Sequence, residues 1–334
     1  MKVKIGYWAP QERYNPSKLL HYTVMAEKYG FETVMTSDHF HPWQHTNANA
    51  AFAWVWVAAA AERTKRMEIG TGVTTPTMRH HPAIVAQAFA TLGFLYPGRI
   101  NLGIGTGEAL NEMPLGYPWP PFKERMERLE EAIKIIKALW SGDFVTFEGK
   151  YFKVRKARLY TRPEKPVPLY VAASGPKMAK LVGRMADGWI TVPTLASIEQ
   201  YRDRLVPAFE RGAARAGRDP SSIERIVELK VAYDEDFEKA EASCRFWLPN
   251  EVPDILSYPI SDPRELEELG RRKGVLKSWN IFTDWDECIK IVEEHIKLGF
   301  TRIQMHSSSP NEENFIQTFG EKVLPYLKKR YGKR

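Results

Sequence analysis

Short β-branched or apolar runs recur along this chain, and each is followed by a longer stretch of helical periodicity. They are Val3–Trp8, Thr33–Thr36, Met67–Gly70, Ile100–Ile104, Pro168–Ala173, Gly188–Val192, Ile226–Ala232 and Thr301–His306. Repeated βα units predict the α/β class with a parallel sheet, because parallel neighbours need a crossover helix. Eight units predict a (β/α)8 TIM barrel, with a doubly wound open sheet as the rival that the count disfavours.

The helices carry their own punctuation. Pro16-Ser17 opens one with Leu19, Tyr22, Ala26 and Tyr29 on one face, and Gly30 stands where the chain must turn away. Thr283 or Asp284 caps the last barrel helix, whose inner stripe is Trp285, Ile289, Val292 and Ile296, ended by Gly299. One barrel domain over 1–334 accounts for the length, with insertions at about 142–167 and 234–280. Residues 143–154 alternate around a glycine turn and predict a β-hairpin. The second insertion predicts a helical lid.

Composition removes several function classes. Only Cys244 and Cys288 occur, so neither a disulfide framework nor a paired-cysteine metal site is expected, and a reducing, cytoplasmic setting fits. The longest apolar run, Ala50–Ala61, is too short to span a bilayer and predicts a buried helix. Net charge is +7, but basic and acidic residues interleave almost everywhere, which argues against nucleic acid as a partner.

Reactive groups in such a barrel stand just beyond the C-terminal ends of its strands. Glu12 follows the first run, Asp38, His39, His41 and Trp43 the second, and Gly72, Val73 and Thr75 the third. Thr106, Gly107, Glu108 and Asn111 follow the fourth. Ser174, Gly175 and Lys177 open a helix after the fifth, whose free N–H groups and positive dipole end suit a phosphate. His39 is placed to take a proton near neutral pH, the alternative being an imidazole that only bonds the loop backbone. Asp38, His39, His41 and His45 admit a metal reading, yet no carboxylate-rich or cysteine-rich partner segment accompanies them, and no metal is expected. Gly103-x-Gly105-x-Gly107 departs from a dinucleotide fingerprint in spacing and in place, and suits a backbone approaching a flat ring, or simply a tight turn. Trp54 and Trp56 read as core or dimer contacts.

The contiguous segments SDHFHPW (37–43), AERTKR (61–66), PAIVAQAFATL (82–92), LYPGRI (95–100), GTGEALNE (105–112) and FKER (122–125) give the chain a resemblance along essentially its whole length. It resembles the deazaflavin-dependent branch of the luciferase-like barrel superfamily, the dehydrogenases of glucose 6-phosphate and of secondary alcohols that use coenzyme F420. The resemblance implies a homodimeric barrel with the deazaflavin across its mouth. It implies His39 as the base on the substrate hydroxyl and Glu108 as the acid at the ring edge, with Trp43 and Glu12 completing the site. Asp38, Thr75, Thr106, Gly107 and Asn111 would contact the ring and its side chain. Ser174, Gly175, Lys177 and Met178 would hold the phosphate-bearing tail, and a non-prolyl cis peptide would lie between Gly72 and Val73.

One departure bears on substrate. Where the sugar-phosphate enzymes carry a threonine and three basic residues, this chain has Val192, Leu195, Ser257 and Ser278. A buried phosphate dianion without cations is costly, so a small secondary alcohol or another unphosphorylated alcohol is the leading substrate class, unless Lys277 or another basic residue substitutes. F420-dependent oxidation of glucose 6-phosphate or another sugar 6-phosphate is the alternative. An FMN-dependent monooxygenase and a cofactor-binding protein without turnover stand behind both.

Overall fold

The computed structural model describes residues 2–192 and 198–332, so Leu195 lies outside the described residues. In chain order the strands are β1 (Lys4–Ala9), β2 (Thr33–Thr36), β3 (Glu68–Thr71), β4 (Ile100–Ile104), β5 (Val145–Glu148), β6 (Lys153–Ala157), β7 (Leu169–Ala172), β8 (Gly188–Thr191), β9 (Glu224–Tyr233), β10 (Asn280–Phe282) and β11 (Arg302–Ser307). Parallel pairing runs β1-β2-β3-β4-β7-β8-β9-β11 and returns to β1, which closes a (β/α)8 barrel. Every run anticipated from the sequence is one of these strands. β5 and β6 form the antiparallel hairpin of the first insertion. β10 is unanticipated: it pairs with β9 outside the closed ring, and three residues are too few to display a period.

Local chemistry sets the helices. Asn15 accepts from Lys18 N at 2.9 Å, Pro16 supplies a first-turn φ, and Leu19, Tyr22 and Ala26 face the sheet. Gly30, at φ +99°, then turns the chain into β2. In the helix Trp285–Lys297, capped by Asp284, the fully buried stripe is Trp285, Cys288, Val292 and His295, while Ile289 and Ile296 flank it half-buried. His295 is accommodated because its Nδ1 bonds the Ile291 carbonyl at 2.8 Å. The helix Ala53–Arg63 is not wholly buried as its apolar sequence predicts: Trp56, Val57, Ala60 and Ala61 face inward, but Val55 is 70% exposed. A helix in the outer ring of a barrel presents only one face to the sheet.

The barrel is shut at its N-terminal end and open at the other. Arg302, 1% exposed, donates to Glu68 Oε2 at 2.6 Å and to Glu224 Oε2 at 3.0 Å, and Tyr170 OH donates to Glu224 at 2.6 Å, so four strands are tied across the floor. Above it Trp8, Met35, Tyr170, Ile190 and Ile226 fill the interior. The second insertion folds as the helices Phe237–Cys244 and Pro263–Lys273 with 3₁₀ turns between them. Its apolar core takes in Trp43 and Leu110 from the loops after β2 and β4, which fixes it over the C-terminal mouth. Among the described residues no helix is long and apolar enough to cross a membrane.

Candidate active site

A cavity of about 340 Å³ lies between the strand ends and this insertion. The wall formed by the ends of β3, β4 and β7 carries no side chain larger than valine: Gly72, Val73, Thr75, Gly105, Thr106, Gly107, Ala172 and Ala173. The Gly72–Val73 peptide is cis. The wall is tightly packed here, since a Cβ on Gly105 would come within 2.7 Å of the Val73 side chain. Gly107 is held at φ +87°, a conformation side-chain-bearing residues rarely adopt. The result is a flat slot.

His39 faces this slot. Its Nε2 stands 3.5 Å from Glu12 Oε1 and 3.5 Å from Glu108 Oε2, and its ring lies 5.9 Å from that of Trp43. Glu12 is oriented by Ser37 Oγ, which donates to its other oxygen at 2.6 Å. Glu108 accepts from Asn111 Nδ2 at 3.0 Å, while Asn111 Oδ1 accepts from Phe40 N at 2.7 Å, so one amide ties the β2 loop to the β4 loop. Enclosure in the cavity pushes the Glu108 carboxyl above its ordinary range; His39 opposes this and Glu12 adds to it. A histidine between two carboxylates, one of them biased toward its protonated form, can accept a proton on one side while a proton is released on the other.

Asp38 does not reach the slot's centre as a free acid. Thr74 Oγ1 donates to its Oδ2 at 2.5 Å and Arg79 Nη2 to its Oδ1 at 3.1 Å. Arg79 also lies 3.6 Å from Glu112, whose carboxyl burial pushes up to about 7 against the pull of that guanidinium. This buried triad supports the loops beneath the site. The other histidines of the β2 loop diverge: His41 Nδ1 bonds Ser261 O at 3.0 Å, and His45 N donates to Glu267 at 3.0 Å. Among the described residues no three His, Cys, Asp or Glu side chains are arranged to hold a metal.

The family model for luciferase-like monooxygenases matches residues 3–278. The chain belongs to the luciferase-like family. Within it, the chain is 42% identical over 333 residues to an F420-dependent glucose-6-phosphate dehydrogenase of Microbacterium testaceum, covering 99% of each. It is 41% identical over 333 residues to the enzyme of the same name from Mycolicibacterium smegmatis, covering 98% of this chain and 99% of the relative. Its structure superposes with a TM-score of 0.92, at 40% identity and over 98% of this chain and 99% of the other, on an F420-dependent secondary alcohol dehydrogenase in complex with an F420-acetone adduct.

In this luciferase-like barrel Glu12, Asp38, His39, Trp43, Gly72, Val73, Thr75, Thr106, Gly107, Glu108, Asn111, Ser174, Met178, Val192 and Ser257 all line the one cavity. Gly175 and Lys177 do not: Gly175 is the N-cap of the helix Pro176–Met185, and Lys177 is exposed on its first turn. Ser278 is also displaced from the expected pocket. It is buried behind the wall, where its N and Oγ donate to Glu251, and Lys277 beside it is exposed. Residues not anticipated from the sequence are Trp8, Glu228, Lys230, Trp247, Asn250 and His306, which also line the cavity, as does Arg125. Charged residues at alternate positions of an otherwise apolar strand, Glu228 and Lys230, were the available signal, since both then face the barrel interior.

Proposed function

We propose that this chain oxidises a hydroxyl of a sugar or sugar phosphate, glucose 6-phosphate first among them, by hydride transfer to coenzyme F420. The observation that carries the reaction type is His39 set between Glu12 and Glu108 at the edge of a slot whose glycine, alanine, threonine and valine wall suits a flat ring. Those residues fit the deazaflavin: Thr75, Thr106, Gly107 and Asn111 would lie along it, with Ser174 and Met178 toward its tail. When bound, F420 supplies the carbon that accepts the hydride. His39 Nε2 takes the hydroxyl proton of the substrate, Glu12 stabilises the imidazolium that results, and Glu108 holds the proton that the reduced cofactor requires. Trp43 shields the reacting carbon from water.

The named relatives favour the sugar phosphate over the small alcohol that the pocket substitutions put first. Val192 and Ser257 bring no charge to the cavity, but Lys230 and Arg125 are buried cations on its wall. A small secondary alcohol is the second reading, favoured by the structural likeness to the alcohol dehydrogenase and by the apolar surfaces of Val192, Trp247, Ile255 and Leu256. Bleaching of the F420 absorbance band under saturating cofactor measures kcat/KM for glucose 6-phosphate, glucose and isopropanol. Glucose 6-phosphate is expected to lead isopropanol by about tenfold or more, a margin of about 1.4 kcal/mol. The reverse order would establish the alcohol reading.

The working form is a homodimer. Phe52, Val55, Ile84, Phe94 and Leu95 are exposed on the helices Ala53–Arg63 and Pro82–Leu95 and their approaches, which the Trp54–Phe89 ring contact at 5.8 Å joins. Val55→Glu is expected to convert a dimer to monomer in sedimentation velocity; an unchanged dimer would place the interface elsewhere. Two buried free cysteines suit a reducing cytoplasm.

A further inference from the structure

The cavity lining also holds polar atoms that the hydride-transfer chemistry leaves unused. His306 at the end of β11 is 2% exposed, and its Nδ1 lies 2.6 Å from Glu228 Oε1. A carboxylate only accepts, so the ring proton sits on Nδ1. Burial holds this imidazole below its ordinary pKa against the pull of Glu228, which keeps the ring neutral and leaves Nε2 as an acceptor. That Nε2 is buried and meets no protein donor, and the same is true of Asn250 Oδ1.

Both residues line the cavity, and the packing around His306 relates it to the slot. Trp247 meets the His306 ring edge-on at 4.6 Å. Asn250 follows Trp247 by three residues in the 3₁₀ turn Arg245–Glu251, where positions three apart stand on the same side. Trp8 stacks on the other face of the arrangement, 6.0 Å from His306, and its ring also packs against Gly72 of the flat slot. His306 is therefore one indole away from the ring wall, and Asn250 stands one 3₁₀ turn on from the indole that His306 touches.

We infer that His306 Nε2 and Asn250 Oδ1 form a hydroxyl-recognition subsite, in which each accepts a hydrogen bond from a separate further hydroxyl of the substrate while His39 serves the one being oxidised. Two buried acceptors without donors call for a ligand that donates; a vicinal or nearby O–H does so, whereas a phosphate or a carboxylate does not. The inference rests on the sugar-oxidation reading and deepens it, because it makes the chain selective for polyols through neutral groups, independently of any phosphate contact. Asn250 is thus a specificity-determining residue, and His306 its partner held in one tautomer by Glu228.

The test pairs Asn250→Leu with monodeoxy analogues of glucose 6-phosphate, read as kcat/KM from F420 bleaching. Loss of one neutral hydrogen bond is expected to lower kcat/KM for the intact sugar phosphate by about three- to tenfold, in KM more than in kcat, with isopropanol unaffected or improved. Against one particular deoxy analogue the variant and the wild type should be equal, since the hydroxyl that Asn250 served is already gone. His306→Gln should behave likewise against a second analogue, the one that lacks the hydroxyl His306 served. If Asn250→Leu costs the same factor with every analogue, or nothing with the intact sugar, the subsite is overturned while sugar oxidation stands. If the wild type takes no sugar at all, the functional reading falls, and propane-1,2-diol against isopropanol decides the subsite: a diol preference abolished by Asn250→Leu supports it, and no such preference overturns it.

Discussion

Replacing His39 with alanine is expected to lower turnover about a hundredfold to ten-thousandfold, while F420 still binds. The separation follows from where the residue stands. Its Nε2 is held by Glu12 and Glu108 at 3.5 Å each, whereas the slot for the ring is made of backbone and small side chains from β3, β4 and β7, which the substitution does not touch. Glu108→Gln is the informative contrast: the amide preserves the shape and the Asn111 contact, yet carries no transferable proton. Stopped-flow bleaching of F420 measures the hydride step, and fluorescence titration measures cofactor binding. A His39→Ala protein within tenfold of wild-type turnover would remove the imidazole from the base role, and one that fails to bind F420 would show it to be an anchor instead.

Arg79→Met is expected to destabilise the fold by about 3–5 kcal/mol, the usual cost of leaving buried charges without their partner. The guanidinium sits among two carboxylates from different loops: Asp38 on the β2 side, reached at 3.1 Å, and Glu112 after β4, at 3.6 Å, with side-chain exposures of 3% and 0%. The pH dependence has a definite sign. Glu112 titrates at about 7 in the folded chain, above its unfolded value, so its protonated form favours folding and stability from this group is lost as pH rises through the interval between the two. Removing Arg79 takes away the charge that holds this value down and extends the loss upward. Urea unfolding should therefore show a larger penalty at pH 8 than at pH 6. A penalty under about 1 kcal/mol, or one that does not vary with pH, would show that the triad is not acting as a buried ion cluster.

The sequence by itself determined the barrel and many of the residues that line its cavity. Strand runs and helix punctuation are local signals, set by side-chain period and by residues such as Pro16 and Gly30, so they are legible without knowing any neighbour. Glu12, His39 and Glu108 were legible for a related reason: each is a polar residue just past a strand, and barrel closure brings all such positions to one mouth. Three things were decided only by tertiary structure. The alternation of Glu228 and Lys230 marks an inward face, but closure determines at which level of the barrel those positions and His306 stand, so that they open on the cavity instead of joining the filled interior. The second insertion reads as helical from its own sequence, but only the burial of Trp247 and Trp279 around Trp43 fixes its seat; this turns Ser278 away to Glu251 and puts Asn250 on the cavity lining. Arg79 looks like a solvated charge in its loop until the loops after β2 and β4 deliver Asp38 and Glu112 to it, because a buried charge acquires its role from partners that are distant in the chain.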